Sequence, residues 1–126
     1  MAILNKIRSY SLFLLLIVCS ASYAQTAANS TPEERAQYWD NWMKEQLALT
    51  PEQQVKVQEI NLRYARQNEE LKATGGDRRS KFQELKSADN EKDSELKTIF
   101  TKDQFKTYQE KKKAFQQQMM KSYRNK

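Results

Sequence analysis

Residues 49–76 read LTPEQQVKVQEINLRYARQNEELKATGG, and this stretch decides the fold. Thr50 suits an N-cap, Pro51 fits the first helical position, and Glu52 favours the positive end of the helix dipole. Val57, Ile60, Tyr64 and Leu71 then recur at spacings of three, four and seven. That spacing places one apolar stripe along a helix of about 22 residues, roughly 33 Å long. Gly75-Gly76 stops it. These are the only two glycines of the chain, and their conformational freedom suits a helix terminator followed by a turn.

The same logic extends in both directions. Upstream, Thr31-Pro32-Glu33-Glu34 is a second helix start, with Glu34 placed to complete a capping box. Trp39, Trp42, Met43 and Leu47 follow at helical spacing, and this helix should end near Ala48. Residues 25–31 (QTAANST) read as a disordered lead. Downstream, Asp77 can cap a further helix whose inner face is marked by Phe82, Leu85, Leu96 and Ile99. Ala88, Asp89 and Lys92 interrupt that face, and the charges of residues 89–97 read as solvated surface. Two arrangements fit residues 77–121: a single bent helix, or two helices with Thr101 as the second N-cap. Phe105, Tyr108, Phe115 and Met119 carry the final stripe to about Lys121, leaving 122–126 as a basic tail. From Gln25 onward there are two valines and two isoleucines, with no alternating run to suggest a strand. The expectation is an all-α chain of three to four amphipathic helices, folded as an antiparallel hairpin about Gly75-Gly76.

Composition narrows the function. The chain has 126 residues, no His and one Cys, with 22 basic against 16 acidic side chains. Its mean hydropathy is −0.96. Without His the common neutral-pH general base is missing, and without a Cys/His cluster so is an ordinary zinc site. Two glycines cannot build a glycine-rich phosphate loop. Ser80 and Ser94 lie in lysine-rich helix, but nothing marks a pocket around them. No catalytic residue, cofactor or metal ligand is assigned, and the chain reads as non-enzymatic.

Residues 1–24 have the order of a secretory signal peptide. Lys6 and Arg8 give a positive start, Leu12 to Val18 an apolar core, and Ser22 and Ala24 small residues before a cleavage point. Cleavage after Ala24 would export the protein. Cys19 is an alternative lipid-attachment site, but the bulky Val18 before it speaks against that reading. The chain from Gln25 has 20 basic and 16 acidic residues and no cysteine, so disulfides do not staple it.

A shift of 51 residues superimposes the chain partly on itself. Leu49 falls on Phe100, Thr50 on Thr101, Glu52 on Asp103 and Gln53 on Gln104. Val57 falls on Tyr108, Gln58-Glu59 on Gln109-Glu110, and Tyr64 on Phe115. LTPEQ at 49–53 is a full copy of the LTxxQ motif, and FTKDQ at 100–104 resembles a second, with Phe for Leu. On these residues the chain resembles the Spy/CpxP family of periplasmic proteins over roughly residues 38–121. That resemblance implies a thin, curved, dimeric helical cradle. It also implies one of three roles: ATP-independent chaperone, modulator of an envelope-stress sensor kinase, or metal-responsive protein. The metal-responsive members rely on donor side chains such as His, and the chain from Gln25 has neither His nor Cys, which argues against the third role.

Two groups of site residues follow. Leu49, Thr50, Gln53, Phe100, Thr101 and Gln104 are expected to pack, cap and hydrogen-bond at the helix junctions. Tyr38, Trp39, Trp42, Met43, Tyr64, Phe105, Tyr108 and Phe115 are a rich apolar supply for so polar a chain. They are either core and dimer seam, or a shallow surface for unfolded clients, since a thin helical layer cannot hide every large side chain. Residues 97–126 hold nine basic and two acidic residues, and Lys106, Lys112 and Lys113 are expected to draw acidic client segments in. The expected partners are partly unfolded envelope proteins and a second copy of the chain, with weak contact to anionic membrane surface. Export makes nucleic acid an unsuitable partner.

Overall fold

The computed structural model describes residues 30–124, and the leader and lipid-attachment expectations lie outside them. Four helices follow one another: α1 (Pro32–Leu47), α2 (Pro51–Ala73), α3 (Arg78–Ile99) and α4 (Lys102–Arg124), with no strand among the described residues. The chain is all-α.

Each boundary has a local cause. Thr31 and Thr50 close full capping boxes with Glu34 and Gln53, and each is followed by proline. Asp77 caps α3 by accepting from the Ser80 amide at 2.8 Å. That amide, with the Ser80 hydroxyl, holds the Asp77 carboxyl below its ordinary pKa. At the hairpin tip Thr74 is extended and Gly76 alone of the two glycines has positive φ, at 140°. Ala48, between α1 and α2, is left-handed at φ 48° and is the one non-glycine residue so placed among those described. Residues 77–121 form two helices. Phe100 leaves the helical region at φ −78°, ψ 150°. Thr101 then makes the same exchange as Thr50: its amide donates to Gln104 Oε1 at 2.9 Å, and its Oγ1 accepts from the Gln104 amide at 3.2 Å. Nothing in Ser122–Arg124 stops a helix, so α4 continues past Lys121 to Arg124.

Consecutive helices run antiparallel. Arg35 of α1 pairs with Glu69 of α2 and Glu33 with Arg66, while Asp40 meets Asn61 nearer the junction. Between α2 and α3 the partners run from Gln53 with Ile99 to Lys72 with Lys81. Helix α4 returns along α1 and α3, joining Lys111 to Gln46 and Lys112 to Asp89. The shared core is Met43, Leu47, Leu49, Val57, Ile60, Tyr64, Ala88, Leu96, Phe100 and Tyr108.

The inner face of α3 corrects the sequence reading. Ala88, Lys92 and Leu96 are its buried residues, flanked by half-buried Leu85 and Ile99. Ala88 and Lys92 therefore belong to the face they were expected to interrupt. Phe82 is 67% exposed instead of inward. The cause is length. Helix α1 begins beside Arg66 and Glu69, so the end of α2 and the start of α3 project beyond it and nothing covers Phe82.

Candidate functional site

The two LTxxQ-type starts meet. Gln53 and Gln104, separated by 51 residues, sit at equivalent positions of α2 and α4, and their amides face each other. Gln53 Nε2 donates to Gln104 Oε1 at 2.7 Å, and Gln104 Nε2 donates back to Gln53 Oε1 at 3.1 Å. Each amide also reaches the other junction: Gln53 Nε2 donates to the Ile99 carbonyl at 3.0 Å, Gln104 Nε2 to the Leu47 carbonyl at 3.2 Å. Each Oε1 additionally accepts from its own capping threonine's amide. Both side-chain amides thus use both donors and both acceptor positions, and this pairing satisfies backbone groups at the ends of all four helices. Leu49 and Phe100 are buried behind it. In the structure Thr50 and Thr101 cap, Leu49 and Phe100 pack, and Gln53 and Gln104 bond across the two junctions, so the six motif residues form one assembly.

Above this clasp lies an aromatic layer between α1 and α4. Phe115 stacks on Trp42 with centroids 4.5 Å apart and on Tyr38 at 5.3 Å, and Trp39 meets it edge-on at 4.7 Å. Tyr108 contacts Phe100 and Phe105. These offset and edge-to-face geometries suit the ring quadrupole.

A partly buried polar cluster adjoins the layer. Lys112 Nζ donates to Asp89 at 2.7 Å and to both oxygens of Asp93 at 2.8 Å, and the Tyr108 hydroxyl donates to Asp93 at 2.6 Å. Burial, reinforced by the Asp93 carboxylate, drives the Tyr108 pKa well up. Lys92 lies with its ammonium 4.5 Å from the centre of the Trp39 ring. Loss of solvation lowers its pKa to about 8, against the opposing pull of Asp89, Asp93 and Asp40. Asn61, fully buried, donates to Asp40 at 2.6 Å, while its own Oδ1 has no partner. Burial raises the Asp40 pKa. Tyr64, whose hydroxyl donates to Glu95 at 2.6 Å, is pushed up to about 12 by burial and then by that carboxylate.

The expected client residues divide accordingly. Met43, Tyr64, Tyr108 and Phe115 are buried, so they are core of the single chain and present no open surface. Lys112 is also buried and spent on two aspartates. The return of α4 onto α1 closes the stripe around Phe115 within one chain, while carboxylates of α3 hold Tyr64 and Lys112. Trp39, Trp42 and Phe105 are partly buried against the core, and Tyr38 is exposed. Lys106 and Lys113 are exposed. Sequence reading missed Asn61 and Lys92 as interior groups, and Asp89 and Asp93 as the half-buried carboxylates that hold Lys112. Spacing held the signal for both interior groups: Asn61 falls between Val57 and Tyr64 of one stripe, and Lys92 is four residues from both Ala88 and Leu96.

On the outer side of α2, Glu59, Leu62, Arg63, Arg66, Gln67 and Glu70 line an open groove of about 430 Å³. Among the described residues no group of three or more His, Cys, Asp or Glu side chains is placed to hold a metal ion, and no helix is long and apolar enough to cross a membrane.

Fold and junction together define a small all-α domain whose two helical hairpins are joined by a glutamine pair. Residues 21–108 match the family described as Domain of unknown function (DUF4890), and the chain belongs to that family. The match takes in both motif junctions and α1 to α3, and ends at Tyr108 within α4. No curated protein and no solved structure matches the chain.

Proposed function

We propose that this protein is an ATP-independent chaperone of the cell envelope, exported by its leader, similar in kind to the Spy/CpxP proteins that its LTxxQ-type motifs resemble. The observation that carries the reading is the distribution of apolar surface. Tyr38, Val55, Phe82 and Met120 are exposed on four different helices, and Trp39, Trp42 and Phe105 are only partly covered. The open groove on α2 includes none of them. Scattered apolar contacts of this kind suit loose binding of many unfolded segments better than tight binding of one ligand. Exposed lysines of α4, Lys106 and Lys113 among them, would attract acidic segments before the apolar contacts form. A second copy of the chain would double this surface. No nucleotide is required for such binding.

The test is aggregation of a chemically denatured, unrelated client diluted into buffer with the chain beginning at Gln25. Suppressed light scattering at near-equimolar ratio is the expected result. Unchanged scattering at several-fold molar excess would refute the chaperone reading. Sedimentation at micromolar concentration should give twice the chain mass.

A further inference from the structure

Cations on the two sides of the molecule are treated differently. Arg35, Arg63 and Arg66 on α1 and α2 each pair with a carboxylate, from Glu69, Glu95 and Glu33. Helix α4 carries Lys102, Lys106, Lys111, Lys112, Lys113 and Lys121 but only Asp103 and Glu110 as acids. Of these lysines the fold consumes Lys112 alone in close carboxylate pairs, and the Lys106–Glu110 contact is long, at 3.9 Å. Lys102, Lys106 and Lys113 fall within about 40° of one another at 100° per residue, and all three are exposed. Met120 returns to the same line at 68% exposure. The result is an exposed basic ridge of about 27 Å over residues 102–120, with one apolar side chain near its end. Lys97, exposed at the end of α3, adds to the charge beside its start.

We infer that this ridge docks the protein onto the anionic surface of a lipid bilayer. An exposed ridge of separated lysines meets a flat charged plane along its whole length, whereas a folded acidic partner would need a matching groove. The other three helices and their junctions, residues 30–96, carry net −3, so the field of the plane attracts α4 and favours the orientation that turns it toward the surface. The contact is adsorption: charge dominates, and no described helix can insert across the bilayer. Each basic side chain held near such a surface contributes roughly a five-fold gain in partitioning. Three ridge lysines therefore contribute about 100-fold, screened as salt rises.

The ridge shares Lys106 and Lys113 with the proposed client contacts, but vesicle binding is read without any client, so the two readings fail separately. The chain beginning at Gln25, which contains all four helices and lacks the apolar leader, is sedimented with vesicles of phosphatidylethanolamine containing a third phosphatidylglycerol, and with phosphatidylcholine vesicles as control. Binding to the anionic vesicles alone, lost above about 0.5 M salt, is expected. The triple variant Lys102→Gln, Lys106→Gln, Lys113→Gln should lose roughly 100-fold in partitioning at unchanged helix content. Lys44→Gln, Lys56→Gln, Lys72→Gln, which removes the same charge from α1 and α2, should lose far less. Absent binding, equal binding to both vesicle types, or equal losses in the two triple variants would each overturn the assignment. So would displacement from anionic vesicles by duplex DNA at equal charge concentration, which would make the ridge a nucleic-acid surface.

Discussion

Replacing Lys92 with methionine should stabilise the protein. The ammonium is buried between α1, α3 and α4, under Trp39 and near Asp40, Asp89, Asp93 and Lys112. Its pKa is about 8 in the fold against an ordinary 10.5. The difference of about 2.5 units corresponds to roughly 3 kcal/mol of stability lost at pH 7 by holding a proton there. The sign follows from proton binding. Below pH 8 both folded and unfolded chains are protonated and the cost is constant. Between pH 8 and 10.5 the unfolded chain binds more protons, so this group's contribution to stability rises with pH. Methionine keeps the length, removes the charge, and retains a favourable sulfur contact with Trp39. Some of the attraction to the three aspartates and the ring is forfeited, so a net gain of about 1–3 kcal/mol at pH 7 is expected. Guanidinium unfolding of both proteins at pH 7 and pH 9.5 measures it. The wild type should close part of the gap at pH 9.5, below the range in which the raised Tyr64 and Tyr108 hydroxyls oppose the trend. A methionine variant less stable than wild type, or a gap that does not narrow with pH, would refute the reasoning.

Three further outcomes follow from the geometry. Gln53→Ala and Gln104→Ala should each destabilise by about 2 kcal/mol, since each strands a carbonyl and its partner amide, and the double-mutant cycle should show coupling of about 1 kcal/mol in chemical unfolding; simple additivity would contradict the clasp. Ala48→Gly should raise stability by about 1 kcal/mol by relieving the left-handed backbone at φ 48°, read as a higher denaturant midpoint. Phe115→Ala should cost about 3 kcal/mol and shift tryptophan fluorescence to the red, because Trp39 and Trp42 both lean on that ring; an unshifted spectrum would place the indoles elsewhere.

The helices were legible because their punctuation is chemical. Thr-Pro at 31–32 and 50–51, Asp77 and Gly75-Gly76 each act on the backbone beside them, and Thr101 makes its own exchange with Gln104 three residues on. The interior was less legible because it depends on what distant chain supplies. Lys92 reads as surface until Trp39 and Asp40 of α1 close over it. Phe82 reads as core until α1 proves too short to reach it. The glutamine pair lies between these cases. A repeat with a Gln at matching helical positions announced two equivalent starts, but only the return of α4 brings them into contact. The aromatic stripes posed the same problem in reverse: their spacing was correct, while their closure within one chain depended on where α4 lies.

The glutamine junction fixes where the chain tolerates a change of size. Everything that must stay in register is anchored at one end of the bundle, around Leu47, Gln53, Ile99 and Gln104. Gly75-Gly76 lies a full α2 away, 23 residues or about 34 Å, with open space around both glycines. Whole turns added to α2 and α3 together would lengthen that free arm while leaving the anchored end intact, whereas a single residue inserted between Leu49 and Gln53 would rotate one amide away from its twin.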